Sequence, residues 1–586
     1  MCCCLSWIEY ISNAFSDKNQ DSIAVAYLHD RKQLWMRTAL SALLSLLLLF
    51  LDMPHLIAGY LPSFITEKQF LLPLLGMLMV AAIALLSRNQ IEAGLRSLFQ
   101  FRPTPYSLPA VVLPVTLIYD IIGFWFPGEM LNVNFLTALC FLVIVVCDLL
   151  RFSCERRTLA LLSKEGEKTV LLPATPRKKK LRQGDKIVKI INDDIGETRY
   201  QVRQSMQTVG FFRRFNDMST AAKPFSIFLA TAFSLATLLA FVCALSTNSF
   251  PAAASAFMTV LFITLPASAA VAFFYPLSRA NRLLAQRGCA LIGEEAVDEY
   301  DRPKTVIFAD TDLYTAEKCT EISVRESDDF KQDMKLAGIL FRKLGGTLSH
   351  VGEVSPSLKK DPPVAVTRIL DSGVEAVIDN RYHILAGDGE FLLRNGIKIP
   401  KESTDKILRR SSDVSLMYVA IDGVLKLSYE IEYGTKRPFE RIIRQLTDAN
   451  CTVAISSYDP NLDEIFIQKS RDASREPISV IKPNRWEESA PLEIADAGAV
   501  SVKKPHDIVY PLYAAHAIGK TRRFAFRLQL ISAILGAASA VLLTIFKLPD
   551  LLGIVPIACY QLFWIAVLCA ASISEINPEK IHFQKK

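Results

Sequence analysis

The chain has 586 residues, 51% of them hydrophobic and 21% charged, with a formal net charge of +7. The length admits several domains, and a mean hydropathy of +0.27 excludes a disordered polar chain in favour of apolar spans alternating with charged blocks. The positive charge clusters beside the apolar runs, so it is no sign of a nucleic-acid partner.

Residues 1–37 form an N-terminal segment that is polar and mixed from residue 5, with no cleavable signal peptide evident. Cys2-Cys3-Cys4 lacks C-x-x-C spacing and leaves metal binding, lipidation and chance all open. Eight apolar stretches near spanning length follow, at about 38–57, 70–87, 107–127, 134–150, 225–247, 252–276, 527–546 and 550–573. They group as four, two and two, which leaves soluble material at about 151–223 and 277–522. Arg31, Lys32 and Arg37 precede the first span, Arg151, Arg156 and Arg157 follow the fourth, and Arg279, Arg282 and Arg287 follow the sixth. The alternate loops are short and poor in positive charge, so both termini and both soluble blocks are predicted to be cytoplasmic. The expected setting is a lipid bilayer, with compact loops that suit a bacterial cell membrane. Cys140, Cys147, Cys243, Cys559 and Cys569 fall in spans and read as small apolar packing. Asp52 and Asp120 lie in the outer halves of the first and third spans, and Asp148 lies near the inner end of the fourth. An ionisable group inside a membrane is a functional candidate, with helix capping at the interface as the alternative.

In the first soluble block, Gly184-Asp185-Lys186-Ile187-Val188-Lys189-Ile190-Ile191 reads as a strand after a turn. In the second, the apolar run Lys304-Thr305-Val306-Ile307-Phe308-Ala309 ends in Asp310-Thr311-Asp312. It reads as the first strand of a phosphate-handling α/β domain, with a carboxylate at the tip to attack phosphorus or help hold magnesium. A helix carries Ile442, Ile443 and Leu446 at helical spacing, and the strand Cys451-Thr452-Val453-Ala454-Ile455-Ser456-Ser457 leads into Tyr458-Asp459-Pro460-Asn461.

Residues 304–315 resemble the P-type ATPase signature D-K-T-G-T-[LI]-T. Laid over it without gaps, Phe308 and Thr315 match the bracketing residues, and Ala309 falls where the phosphorylated aspartate stands. Ala285-Gln286-Arg287-Gly288 through Gly293 resembles the connector that precedes this motif, and Arg437-Pro438 matches the family's R-P, with Gly434 at an expected aspartate. Ser457 and Asp459 stand where the family reads T-G-D-N. Leu265-Pro266-Ala267 stands where the heavy-metal (copper/zinc-type) subgroup carries C-P-C, and keeps the proline as the transport-site equivalent.

The resemblance covers about 107–573 and implies a multi-pass α-helical membrane protein. A cytoplasmic α/β haloacid-dehalogenase-like catalytic domain, an inserted α+β nucleotide-binding-like domain and a truncated β-rich actuator-like domain would accompany the spans. The implied layout is an N-terminal segment 1–37, four membrane helices in 38–150, an actuator-like domain 151–223 and two helices in 224–276. The catalytic domain is 277–324 with 426–522, the nucleotide-binding-like domain 325–425, the last two helices lie in 523–573, and 574–586 is a tail. His350 followed by Val351 stands for the family's adenine-contacting His-Pro, and Asp371-Ser372-Gly373 for its G-x-G. Glu488 is the candidate magnesium carboxylate. No lysine matches the one expected between the second and third motifs, and Trp486 stands nearest. The dephosphorylation loop T-G-E-S has no match at Leu172-Pro173-Ala174-Thr175-Pro176; Ile195-Gly196-Glu197-Thr198 is a rival by letters, set too close to the fifth span.

The implied function is that of a catalytically degenerate pump homologue with a regulatory or scaffolding role, hence a protein partner, rather than an enzyme. ATP and Mg2+ are the cofactors implied if activity or nucleotide binding is retained. The alternative is a divergent but active ATP-driven cation transporter. Sliding the first motif by one residue gives a second alternative, a membrane-tethered phosphatase with Asp310 as nucleophile and Asp312 as general acid/base. Two carboxylates so close repel, and one stays protonated without compensation.

Overall fold

The computed structural model describes residues 20–53, 71–127, 129–174, 198–302, 304–323, 329–354, 362–399, 414–471, 478–483, 491–545 and 553–577. In chain order the elements are α1 (Gln20–Leu51), α2 (Leu71–Leu86), α3 (Arg88–Phe99), α4 (Ser107–Gly123), α5 (Asn134–Leu162), β1 (Lys168–Pro173), β2 (Thr198–Val209), α6 (Phe211–Asn216), α7 (Ala222–Thr247), α8 (Phe250–Thr264), α9 (Ser268–Arg287), β3 (Cys289–Leu291) and α10 (Gly293–Asp301). Then come β4 (Lys304–Ala309), α11 (Asp310–Leu313), β5 (Tyr314–Ser323), α12 (Phe330–Leu344), α13 (Thr347–Val354), β6 (Val364–Leu370), β7 (Gly373–Ile378), β8 (Tyr382–Gly387), α14 (Gly389–Arg394), β9 (Val414–Ile421) and β10 (Val424–Thr435). The chain continues through α15 (Arg437–Asp448), β11 (Cys451–Ser456), α16 (Glu464–Ser470), β12 (Ile478–Ile481), β13 (Leu492–Asp496), β14 (Ala499–Ser501), α17 (Val509–Ile545) and α18 (Ile554–Glu575). They fall into two compact units, one of Met1–Lys164, Gly210–Asp301 and Ala514–Lys586, the other of Glu165–Val209 and Arg302–Tyr513.

The first unit is helical and apolar. Among the described residues, six segments are long and apolar enough to cross a membrane: Lys32–Leu51, Asn134–Leu162, Phe211–Thr247, Phe250–Arg287, His506–Leu543 and Ile554–Glu575. The predicted second span is a broken element: Pro73–Leu86 and Arg88–Phe99 meet at 81°. The bend follows the composition, because the wholly apolar α2 gives way to the charged Arg88-Asn89-Gln90-Ile91-Glu92. The predicted third span is the 17-residue α4, about 25 Å long and short of the ~30 Å hydrocarbon layer. The core is aromatic and branched, with Phe225, Phe228, Phe273 and Phe274 packed among Ile263, Leu261 and Leu239. Pro266 separates α8 from α9, and the freed carbonyl of Phe262 accepts from Gln561 Nε2 at 2.6 Å.

The second unit holds two sheets. In the first, the order is β12-β11-β4-β2-β1-β14, with β13 also paired to β2. β4 runs parallel to β11, which runs parallel to β12, and β2 runs parallel to β4 from Thr198↔Lys304 to Gln201↔Ile307. Beyond the tip of β4, β13 takes over the same edge of β2, from Leu492↔Ser205 to Asp496↔Val209. The second sheet is an antiparallel meander in the order β5-β10-β9-β8-β7-β6.

Two predicted boundaries are corrected. Within the predicted 151–223 block, 151–162 complete α5, while β1 and β2 join the sheet of β4. A hairpin alone lacks a core, and the edge of β4 gives this one both backbone partners and burial for Val170, Leu171 and Tyr200. The inserted domain is wider than 325–425, because β5 and β10 belong to its sheet and pair as far as Thr435↔Tyr314. There a Cβ on Gly434 would meet the end of the Glu317 side chain, which would have to swing away for an aspartate to stand there.

Candidate functional site

β4 is a buried apolar strand whose Phe308 ring packs edge-on against Phe439 at 5.1 Å. Its last residue, Ala309, is exposed, and the chain then turns into the short helix α11, which carries Asp310 inward. Asp310 is 3% exposed. Ser457, directly after the neighbouring parallel strand β11, donates its hydroxyl to Asp310 Oδ2 at 2.6 Å. Two adjacent parallel strand tips thus set carboxylate and hydroxyl face to face.

The inserted segment closes the cluster. Between α12 and α13 the chain passes through Gly345-Gly346-Thr347, and a Cβ on Gly346 would lie 2.7 Å from both carboxylate oxygens of Asp310. Gly346 has φ +63, which suits glycine. Thr347 Oγ1 donates to Asp459 Oδ2 at 2.9 Å and to Asp310 Oδ2 at 3.3 Å. Tyr433 from β10 adds its hydroxyl to Asp459 Oδ2 at 2.6 Å, and the Asn461 amide N–H meets Asp459 Oδ1 at 3.0 Å. Lys482, which follows β12, donates its ammonium to the Asp459 carbonyl.

Burial dominates the electrostatics. It pushes the Asp310 carboxyl up to about 6, against the Ser457 hydrogen bond and with help from the Asp459 charge. It lowers Lys482, although Asp459 and Asp310 pull the other way. Tyr433 is held well above its ordinary value by burial and by Asp459.

Asp310, Ser457 and Asp459 are therefore brought together. Asp312 turns aside: its Oδ2 accepts the Ala309 N–H at 3.3 Å, and burial raises its carboxyl, with Lys436 and His506 opposing. His350 lies on α13 rather than in a loop. Gly373 opens β7 beneath the Phe391 ring, which fills the space above it. Glu488, Trp486, the basic run from Arg177, the predicted strand 184–191, Gly196-Glu197 and Cys2–Cys4 lie outside the described residues. The one-residue register also changes: Ala309 faces out, and Asp310 holds the position opposite Ser457.

Lys482 was not singled out by the sequence analysis, and the structure sets it beside Asp459. Its signal was the run Ile478-Ser479-Val480-Ile481, short enough to pass for loop and followed by Lys482-Pro483. Carboxylate, hydroxyl and ammonium at three parallel strand tips are a set that can hold a phosphoryl group. As arranged, the carboxylate oxygens of Asp310 and Asp459 accept from O–H and N–H donors. A magnesium ion here would use those same oxygens as ligands, in competition with these donors.

Around Pro266, the break between α8 and α9, Leu265 and Ala267 are buried. Ser268 Oγ donates to Gln529 Oε1 at 2.9 Å. A cavity of about 20 Å³, room for one water, is lined in part by Cys140, Phe262, Leu265 and Gln561.

No protein-family model and no curated protein matches this sequence. Among solved structures, the chain is similar to a zinc-transporting PIB-type ATPase in the E2.Pi state, with a TM-score of 0.46 and 13% identity over 92% of this chain and 100% of that one. It is also similar to a second solved structure of a zinc-transporting PIB-type ATPase, in another state, with a TM-score of 0.43 and 13% identity over 91% and 99%.

Proposed function

We propose that this chain is an integral membrane protein of P-type-ATPase-like architecture whose phosphoryl-transfer site has become a structural latch, leaving a regulatory or scaffolding role in the membrane. One observation carries this: the Asp310 carboxylate is capped by Gly346 and Thr347 of the inserted segment and bonded by Ser457. Phosphoryl transfer needs the phosphorus within about 3–3.5 Å of the attacking oxygen and in line with the leaving group, and that approach is filled. The apolar Leu265 and Ala267 beside Pro266 agree, because neither side chain can ligate a soft metal.

The test uses the full chain in detergent, with labelled ATP and Mg2+. No acid-stable phosphoenzyme is expected. A phosphoenzyme that disappears in Asp310→Asn overturns the proposal.

The gathering of Asp310, Ser457 and Lys482 favours one second reading, in which the Gly345-Gly346-Thr347 segment lifts and Asp310 then accepts a phosphoryl group. A phosphoenzyme that forms in Thr347→Ala and is absent from the wild type would be its signature.

A further inference from the structure

We infer that Asp52, Asp120 and Asn134 form a binding site for a hard divalent cation, where α1 and α4 end and α5 begins. All three residues are more than nine-tenths buried. Asp52 Oδ2 accepts the Phe135 N–H at 2.7 Å, which ties it to the start of α5. Asp120 shares a side-chain hydrogen bond with Asn134 and feels the charge of Asp52. Two atoms are left over: Asp120 Oδ2 and Asn134 Oδ1 have no hydrogen-bond partner among the described residues.

Both orphans are acceptors, and the nearby hydroxyls are committed elsewhere. Tyr119 donates to the Leu131 carbonyl at 2.9 Å and meets Ser255 Oγ at 3.1 Å. Thr116 and Thr137 pair with each other at 2.8 Å. Among the described residues, the titratable groups that act on one another here are Asp52, Asp120 and Tyr119. No Lys, Arg or His occurs in α2, α4, residues 38–53 or residues 134–150. Two buried carboxylates with no cationic partner among the described residues carry a large desolvation cost. Capping of α5 accounts for Asp52 and leaves Asp120 unexplained. A divalent ion answers both the charge of two carboxylates and the unmet oxygens. The donors are oxygen only, which selects a hard ion such as Ca2+ or Mg2+ over a soft one. Gly76 of α2 helps, since a Cβ there would press to 2.9 Å from Asn134 Nδ2 and take the room the amide uses.

The test is equilibrium dialysis of the full chain with labelled calcium at pH 7.5, together with thermal unfolding after chelation and on calcium addition. One ion per chain and a saturable rise of Tm are expected, both lost in Asp120→Asn and both kept in Asp148→Asn. Should Asp120→Asn fail to fold, terbium luminescence sensitised by Tyr119 in the wild type, displaced by calcium and lost in Tyr119→Phe, supports the site. No saturable binding, or equal binding in Asp120→Asn, overturns it. So does stabilisation by acid alone with no metal effect, which would make the occupant a proton. None of these readouts involves nucleotide, so failure here is distinct from failure of the latch.

Discussion

Two of the chain's buried carboxylate clusters differ in what compensates them. Around Asp310, hydroxyl and N–H donors outnumber the charges: Ser457, Thr347 and Tyr433 converge on two carboxylates, and Lys482 stands by. Around Asp120 the balance is reversed, with acceptors left bare among the described residues and no Lys, Arg or His in α2, α4, residues 38–53 or residues 134–150. A buried carboxylate is tolerated when donors or a cation compensate it. The first cluster supplies the compensation from its own side chains and closes. The second lacks it, which is why an ion is assigned there and not at Asp310.

The largest expected effect breaks the closure itself. Gly346→Val would drive carbon into both oxygens of Asp310 at a position with φ +63. Backbone strain and lost packing together should cost about 3–4 kcal/mol, seen as a lower Tm of the full chain. An unchanged Tm would mean that the Gly345-Gly346-Thr347 segment is not seated on Asp310 in solution.

Next is the pH dependence of the latch. The folded Asp310 carboxyl sits at about 6, above its ordinary 3.8, so between those values the folded state binds more protons than the unfolded one. Its contribution therefore favours folding below pH 3.8 and is lost as pH rises to about 6; above that, ionised Asp310 costs about 3 kcal/mol. Asp310→Asn keeps an acceptor for Ser457 and removes the ionisation. It should raise stability at pH 7.5 by about 1–3 kcal/mol and flatten the profile between pH 4 and 6. A working nucleophile would instead reveal itself by lost activity in the same variant.

A smaller effect is expected at Lys482. Lys482→Met replaces an ammonium whose charged form burial disfavours with an apolar chain of similar length, and should shift stability at pH 7.5 by no more than about 1 kcal/mol. Burial lowers this lysine in the folded state, so the wild type gains stability as pH rises toward 10.5, and that gain should vanish in the variant. A profile that stays the same would place the ammonium in solvent.

The apolar helices were legible because a bilayer demands about 20 apolar residues in succession. The strand at 304–309 was legible as an apolar run, but its phase was not. Val306, Ile307 and Phe308 are all buried, so no alternation of polar and apolar residues marks which side faces the cluster. Letter matching then favoured Ala309 over Asp310 for the inward position. The pairing of β2 with β4 joins segments roughly a hundred residues apart and leaves no local trace. Lys482 was hidden by the brevity of β12, and the closure over Asp310 by two glycines that look like an ordinary turn between helices.

That phase question supports the mildest and most discriminating variant. Ala309 is exposed and its side chain makes no part of the cluster, so Ala309→Asp should shift stability by no more than about 0.5 kcal/mol. Had the ungapped alignment placed the inward residue correctly, the same change would restore the phosphorylatable aspartate, and labelled ATP with Mg2+ would then yield an acid-stable phosphoenzyme. With Asp310 opposite Ser457, the new carboxylate instead points to solvent, away from both the Ser457 hydroxyl and the Lys482 ammonium. Nothing there would orient a phosphoryl group or neutralise its charge, so no phosphoenzyme should form. Label at residue 309 would move the catalytic slot back by one residue and leave Asp310 with a purely structural part.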